Sequence, residues 1–218
     1  MIRINKGNEP KEWTKKRETA GAVYEAIPEL KDALLAEQGH ICAYCMRRVP
    51  VAKKDPGNVE LARIEHIKCR TDYPQHSMDY DNMVICCPGY INGSEHCDKA
   101  KHDKAIRFSP FDPRVEESIS YSTKDGMIKS AEKAWNEDFD TVLVLNDAML
   151  RLNRKNAIDG ARAYLERKKW KEAELKQLLD GWSAKDKEGK YRPYCGAVIW
   201  YIKRAIRAGQ NPKAGKAK

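Results

Sequence analysis

The sequence predicts an α+β protein in which a small, cysteine-rich centre lies between two helical regions. Six of the seven cysteines fall between Cys42 and Cys97. Two short apolar runs in the same stretch, residues 61–64 and 83–86, have the length and composition of strands. The chain on either side of this stretch carries the start and stop signals of helices.

The composition is that of a globular protein with a basic surplus. Lys and Arg number 41 against 32 Asp and Glu, which gives a net charge of +9. A surplus of this size suits a polyanionic partner, most often nucleic acid. We see neither a secretory signal nor a membrane span, and we expect a cytoplasmic protein with no membrane partner. Seven cysteines, an odd number, then favour metal binding over disulfides.

The composition changes at three points, which divide the chain into four regions. Residues 1–40 form an N-terminal helical extension, and residues 41–107 form the cysteine-rich centre. Residues 108–210 form a mostly helical C-terminal region, and residues 211–218 form a basic, disordered tail.

Both flanking regions carry clear secondary-structure signals. A helix is predicted from Pro28 towards Gly39, because proline suits a first helical turn and glycine a helix end. A hairpin is predicted over residues 119–128, around a Lys-Asp-Gly turn. Further helices are predicted from a cap at Asn146 or Asp147 towards Trp170, over residues 171–179 and over residues 194–207. The C-terminal aromatic side chains form either a docking surface or part of the core: Trp182, Tyr191, Tyr194, Trp200 and Tyr201.

Cys42 and Cys45 form a Cys-x-x-Cys pair, a spacing that lets two sulfurs reach one ion from a tight turn. Two more thiolates are needed, and Cys97 supplies one of them. Either Cys86 or Cys87 supplies the other. Cys87 is favoured because it enters a Pro-Gly turn, whereas Cys86 would face the opposite side of the strand. The pattern predicts structural Zn²⁺ on Cys42, Cys45, Cys87 and Cys97; buried free thiols are the alternative.

An acid, a histidine and an asparagine follow the cysteine pair in a characteristic order. Glu65 and His66 end the first predicted strand, and Asn82 and then Asp98 follow at intervals of sixteen residues. Asp98 opens a predicted short basic helix, residues 98–107, that contains Lys101. This order resembles the HNH nuclease family. The resemblance implies a ββα-metal core, in which two strands and a helix hold one divalent cation.

The resemblance also implies a role for each matching residue. His66 would be the general base that takes a proton from the attacking water, and Asn82 would brace the loop and orient His66. Glu65 and Asp98 would bind Mg²⁺ or Mn²⁺, because two carboxylates make a hard oxygen site. The helix that starts at Asp98 would direct its N-terminal dipole at the anionic centre. Phosphate contacts would come from Lys101, Arg70 and Lys68.

The chain departs from the usual HNH pattern at two places. Nine or ten residues separate Cys97 from Cys87 or Cys86, where the family has two. Asp98 stands where the family has histidine or asparagine, and His102 and His96 are nearby substitutes for it.

A closer resemblance extends beyond the core. Residues 37–45, 64–67, 79–83, 96–101 and 143–147 together resemble the HNH nuclease subunit of Septu-type and retron-associated anti-phage defence systems. That resemblance implies an effector nuclease that works with an ATPase partner subunit of a defence complex. Its substrate would be DNA or RNA, with tRNA among the candidates.

The predicted fold is therefore α+β, a zinc-stapled ββα-metal HNH nuclease core flanked by an N-terminal helix and a C-terminal helical region. The predicted function is that of a metal-dependent HNH endonuclease. The alternative is a non-catalytic, zinc-containing nucleic-acid-binding or adaptor protein. Such a protein would share the cysteines but would not need acids gathered around a histidine.

Overall fold

Short strands and helices alternate along the chain in a computed structural model that describes residues 1–50 and 62–209. The helices are α1 (Lys11–Arg17), α2 (Pro28–Glu37), α3 (Asp98–Lys101), α4 (Arg114–Ser118), α5 (Lys133–Glu137), α6 (Ala148–Arg167), α7 (Glu172–Ser183) and α8 (Cys195–Arg207). The strands are β1 (Arg63–His66), β2 (Met83–Cys86), β3 (Tyr90–Ile91), β4 (Ser94–Glu95), β5 (Ile119–Tyr121) and β6 (Ile128–Ser130). The 3₁₀ turns Pro74–His76 and Tyr80–Asn82 and a π-helical turn, Asp138–Val142, complete the fold. The predicted α+β class is confirmed.

Strands β1 and β2 pair in antiparallel fashion and place the candidate acid and histidine at one end of the ribbon. Glu65 lies opposite Val84, and His66 lies opposite Met83. All of β2 is buried, as its run of apolar residues requires. The main chain of the last β1 residue is tied to α3, because the Lys101 ammonium lies 3.3 Å from the His66 carbonyl oxygen.

The N-terminal region covers the ribbon with two helices. Helix α2 begins at Pro28, as predicted, and buries Leu30, Leu34 and Leu35. Helix α1 was not predicted. Its Trp13 is fully buried, and the indole nitrogen donates to the Met78 carbonyl oxygen at 3.1 Å, so α1 fixes the loop that follows β1.

The C-terminal region follows its sequence signals closely. The β5–β6 hairpin forms where the Lys-Asp-Gly turn predicts it. Asp147 caps α6, since its Oδ1 accepts a hydrogen bond from the Met149 amide at 2.8 Å. Helices α6 and α7 both pack against α8. The aromatic residues considered for docking are buried or half-buried here, and Tyr201, Trp200 and Trp182 belong to the core packing.

Three predicted boundaries differ from the structure. Strand β1 occupies residues 63–66 rather than 61–64, and Leu61 lies outside the described residues. The helix after Cys97 is only four residues long, because the backbone at His102 turns to a positive φ of 48°. A single turn of helix has little macrodipole, so the prediction of a dipole contribution at Asp98 is wrong. Helix α7 continues beyond residue 179 to Ser183. The tail predicted for residues 211–218 lies outside the described residues.

The stretch that separates Cys87 from Cys97 forms the β3–β4 hairpin. Its tip is Asn92-Gly93, and both residues have positive φ, as a type I′ turn demands. Because a hairpin returns to its starting point, the extra residues leave the two cysteines close together.

One hydrophobic core joins the N-terminal, central and C-terminal regions. It contains buried residues from Met1 through the β1–β2 ribbon to Ala205 in α8. No helix in the described part of the chain is both long and apolar enough to cross a membrane.

Candidate metal centre and catalytic cleft

Four buried cysteines converge on one point beside the β1–β2 ribbon. They are Cys42, Cys45, Cys87 and Cys97, here called the cysteine cluster, and their sulfurs all lie within 4.8 Å of one another. The Cys42 and Cys97 sulfurs are 3.8 Å apart, and those of Cys45 and Cys87 are 3.7 Å apart. A tetrahedron with Zn–S bonds of about 2.3 Å has edges of about 3.8 Å. The cluster is therefore positioned to bind a metal ion, and its size fits zinc.

Local backbone geometry brings the three segments of the cluster together. The Cys42 amide donates to the Arg47 carbonyl oxygen at 3.0 Å, which closes the turn that carries the first two cysteines. Gly89 has a φ of +77°, and a Cβ there would lie 2.7 Å from the His96 carbonyl oxygen. Only glycine allows this approach, which holds the two ends of the β3–β4 hairpin together.

Charge in the cysteine cluster depends on a bound cation. Burial raises the pKa of the Cys45 and Cys97 thiols well above their ordinary value, whereas hydrogen bonds among the four sulfurs lower the pKa of Cys42, against its burial, and bring that of Cys87 to about 7. Thiolates at such a depth need a cation to offset their charge. Four free thiols would leave the cluster neutral, whereas four thiolates with one divalent cation carry a net charge of about −2.

His96 lies against the cysteine cluster. Its ring is fully buried, and Nδ1 lies 3.2 Å from the Cys97 sulfur and 3.8 Å from the Cys87 sulfur. A proton on Nδ1 can thus be donated to the thiolates. The Nε2 atom has no hydrogen-bond partner among the described residues. The suggestion that His96 replaces Asp98 is therefore wrong. The other substitute, His102, lines the cleft described next.

A solvent-open cleft of about 350 Å³ lies at the end of the β1–β2 ribbon. Its lining includes Glu65, His66, Arg70, Asp98 and His102. The two acids and the histidine that the sequence singled out therefore share one cleft.

Glu65 is buried and held by two donors on the same oxygen. The Lys101 ammonium lies 2.8 Å from Oε1, and the Tyr44 hydroxyl donates to Oε1 at 3.1 Å. Burial and the adjacent Asp98 carboxyl raise the pKa of Glu65 to about 8, against the opposing effect of Lys101. Asp98 is also paired with Arg63. The two carboxyl groups are close enough to share a proton, and a divalent cation can take the place of that proton.

The His66 ring is oriented by the loop after β1. Its Nε2 lies 3.0 Å from the Ser77 carbonyl oxygen. A carbonyl can only accept, so Nε2 carries the proton and Nδ1 keeps its lone pair. Tyr24 packs edge-on against the ring, with centroids 4.6 Å apart. Burial lowers the pKa of His66, which favours the neutral imidazole that a general base requires.

Asn82 braces the loop by making three hydrogen bonds. Its Oδ1 accepts from the Lys68 amide at 2.8 Å, and its Nδ2 donates to the carbonyl oxygens of Lys68 and His76 at 3.0 and 3.1 Å. None of these bonds reaches the His66 ring. Asn82 thus holds the loop whose Ser77 carbonyl orients the histidine.

The three candidate phosphate contacts are in different environments. Lys101 is fully buried in its ion pair with Glu65, so its ammonium is not presented to a phosphate, and its predicted role is corrected. Arg70 is exposed, lines the cleft and lies over the Tyr24 ring at 4.8 Å. Lys68 is exposed on the neighbouring loop.

Sequence reasoning missed Tyr44, Tyr24 and Arg63 as parts of the site. Tyr44 stands between the paired cysteines, and that position is the signal that could have placed it near the metal. Arg63 precedes Glu65 by two residues on β1 and therefore shares its face of the strand. Tyr24 lies in a segment without secondary structure, and no sequence signal points to it.

No protein-family model matches the chain, and no curated protein matches it either. The chemistry of the site therefore has to be inferred from the cysteine cluster and the cleft themselves. Among the described residues, the cysteine cluster is the one group of three or more Cys, His, Asp or Glu whose donor atoms converge as a metal site requires.

Proposed function

We propose that the protein is a metal-dependent HNH endonuclease that hydrolyses phosphodiester bonds in nucleic acid, either DNA or RNA, including tRNA. One observation carries the proposal. A histidine with a free Nδ1 lone pair and two interacting carboxyl groups line the same open cleft, directly beside a buried cysteine cluster. The basic surplus of the chain suits a polyanionic substrate.

The cysteine cluster would hold a structural zinc ion. Four buried sulfurs at tetrahedral spacing leave no open position for substrate, which is the mark of a structural rather than a catalytic site. Its role is to fix the start of α3, and hence Asp98, next to the β1–β2 ribbon.

Glu65 and Asp98 would hold the catalytic cation. Two carboxylates are a hard oxygen site, and Mg²⁺ is commonly bound by one or two carboxylates together with waters and substrate phosphates. When bound, Mg²⁺ or Mn²⁺ supplies a positive charge that stabilises the negative charge developing on the phosphoryl oxygens. This role is consistent with a site in which Glu65 and Asp98 are the two acidic ligands.

His66 would act as the general base. With Nε2–H donated to the Ser77 carbonyl oxygen, Nδ1 is the atom that accepts a proton from the attacking water. Asn82 keeps the loop, and thereby Ser77, in place. Arg70 and Lys68 are the exposed cations at hand to hold the nucleic-acid backbone.

The biological setting is proposed on the resemblance of the sequence motifs alone. A chain with these motifs would be the effector nuclease of an anti-phage defence system and would act with an ATPase partner subunit. Co-purification of the chain with any ATPase encoded in the same operon would test this association.

Replacement of the histidine tests the catalytic role. We expect His66→Ala to lower the rate of cleavage by about 10²–10⁴-fold, because a positioned general base contributes about that much. His40→Asn is the control, since His40 is half-buried and does not line the cleft. The assay is cleavage of plasmid DNA and total tRNA in Mg²⁺ and in Mn²⁺, with zinc content and circular dichroism measured alongside.

Full activity of a folded, zinc-loaded His66→Ala protein would refute the assignment. The non-catalytic alternative makes a different prediction. A nucleic-acid-binding or adaptor protein would still bind the same substrates in the absence of Mg²⁺ and would never cleave them.

A further inference from the structure

Tyr44 connects the cysteine cluster to the candidate catalytic acid. It lies between Cys42 and Cys45, and its side chain is fully buried against Phe108, with ring centroids 6.4 Å apart. Its hydroxyl donates to Glu65 Oε1 at 3.1 Å. A residue of the metal-binding turn therefore touches a residue of the cleft directly.

The backbone of Tyr44 is fixed by the turn that carries the first two cysteines. The Ala43 amide donates to the Ile85 carbonyl oxygen at 3.0 Å, and the Met46 amide donates to the Cys42 carbonyl oxygen at 3.0 Å. The tyrosine ring is rigid and cannot bend to compensate for a displaced backbone. The position of its hydroxyl thus follows the position of the turn.

Two donors on one oxygen define the orientation of the Glu65 carboxylate. Lys101 and Tyr44 both bind Oε1, and neither competes for Oε2, which can face a cation shared with Asp98. Lys101 alone would not fix the plane of the carboxylate, because an ammonium group binds from many directions. The hydroxyl of Tyr44 supplies the second point of attachment.

We propose that Tyr44 is a positioning residue that couples the structural zinc site to the catalytic cation site by orienting Glu65. The proposal rests on the proposed function, since it takes Glu65 as a ligand of the catalytic cation. Partners of a metal ligand typically change metal affinity by about 10–100-fold when they are removed. Loss of the hydroxyl should therefore weaken binding of the catalytic cation and leave zinc in place.

The test compares Tyr44→Phe with Tyr164→Phe in the full-length chain. Tyr164 is a matched control, because its hydroxyl donates to Glu174 at 2.7 Å, outside the cleft. Mn²⁺ binding to zinc-loaded protein is measured by electron paramagnetic resonance, with Glu65→Gln as the baseline. Cleavage is measured across a Mn²⁺ titration, and zinc content and melting temperature are recorded for each variant.

We expect Tyr44→Phe to bind Mn²⁺ about 10-fold more weakly or worse, with full zinc content. Its cleavage should need a correspondingly higher Mn²⁺ concentration for the half-maximal rate, because binding of the catalytic cation is impaired. Tyr164→Phe should match the wild type. A purely structural role of Tyr44 would lower the melting temperature without moving the Mn²⁺ affinity, and that result would overturn the proposal.

The remaining outcomes separate this proposal from the proposed function. If the wild type cleaves in Mn²⁺ and Tyr44→Phe binds Mn²⁺ equally well, only the role of Tyr44 is refuted. If the wild type binds Mn²⁺ no better than Glu65→Gln, both the catalytic cation site and the role of Tyr44 are refuted.

Discussion

Glu65 is a buried carboxylate whose neighbours have opposite effects on it. Asp98 disfavours its ionised form, while the Lys101 ammonium and the Tyr44 hydroxyl support that form. The lysine is itself fully buried, so each charge depends on the other. Removing one partner of a buried pair costs more than removing both, because the remaining charge is left without compensation.

This dependence gives a prediction at the scale of single residues. Glu65→Leu should lower the free energy of unfolding by about 3–5 kcal/mol, because it strands the Lys101 ammonium in the interior. Adding Lys101→Met should recover most of the loss. Urea unfolding of the zinc-loaded single and double variants, at a pH above the Glu65 pKa of about 8 so that the wild-type carboxylate is ionised, measures both effects. A double variant no more stable than Glu65→Leu would show that the two charges are not coupled.

At the scale of secondary-structure elements, the sequence correctly predicted the helix ends that are set by local residues such as a proline or a capping side chain. Helix α2 begins at its proline, and α6 begins after the Asp147 cap. The helix predicted after Cys97 was too long, because the backbone turns to a positive φ at His102 and the helix ends at Lys101. Strand β1 was displaced, since the prediction followed apolar residues, whereas the paired segment contains Arg63 and Glu65. The Asn92-Gly93 turn signal was present in the sequence and predicts the β3–β4 hairpin once it is noticed.

In the candidate site, too, the sequence predicted the features that depend on local spacing and missed those that depend on long-range packing. Cysteine spacing predicted the cluster, because two residues between ligands fix their geometry locally. The contacts of Glu65 with Tyr44 and Lys101 join residues far apart in sequence and depend on how the metal-binding turn, β1 and α3 pack. Sequence patterns alone do not specify such packing, and Lys101 was therefore assigned to phosphate binding.

The cap of α6 provides a prediction for a single element. Asp147→Ala should lower the free energy of unfolding by about 1 kcal/mol, because the amides of Met149 and Leu150 lose their acceptor. Asp147→Asn should retain most of the stability, since an amide oxygen caps a helix as well. Thermal and urea unfolding distinguish the two variants. Equal losses in both would mean that the carboxylate charge, rather than capping, stabilises this helix.

At the scale of the whole molecule, the cysteine cluster ties together segments from before β1, after β2 and before α3. Structural zinc contributes about 10–16 kcal/mol to the folding of zinc-finger peptides, and a domain is stable by about 5–15 kcal/mol in all. The free energy lost with the zinc ion is thus large enough to unfold the core.

Arg154 also interacts with the charge of the cysteine cluster. It is buried, and its guanidinium donates to the carbonyl oxygens of Gly126 and Leu145. Burial lowers the pKa of Arg154, and the nearby Tyr121, Cys45 and Cys97 oppose that shift.

A matched pair of adjacent cysteines tests the dependence of folding on zinc. Cys87→Ser should abolish zinc binding and leave the protein unfolded or insoluble, because folding is coupled to the metal. Cys86→Ser should keep its zinc and lose about 1–3 kcal/mol, since the buried hydroxyl is only partly satisfied. Zinc content and circular dichroism provide the readouts. Retention of zinc by Cys87→Ser, or its loss from Cys86→Ser, would reverse the assignment of the fourth ligand.

Cys97 and Asp98 are neighbours in the chain, so a sulfur of the buried cluster and a carboxylate of the open cleft move as one unit. A chelator such as EDTA should consequently inactivate the protein in two kinetic phases. The first phase empties the solvent-facing cleft within seconds and is reversed by adding Mg²⁺. The second phase, over much longer times, removes the enclosed ion, and Mg²⁺ alone then restores nothing. The order in which Zn²⁺ and Mg²⁺ are returned would decide how much activity is recovered.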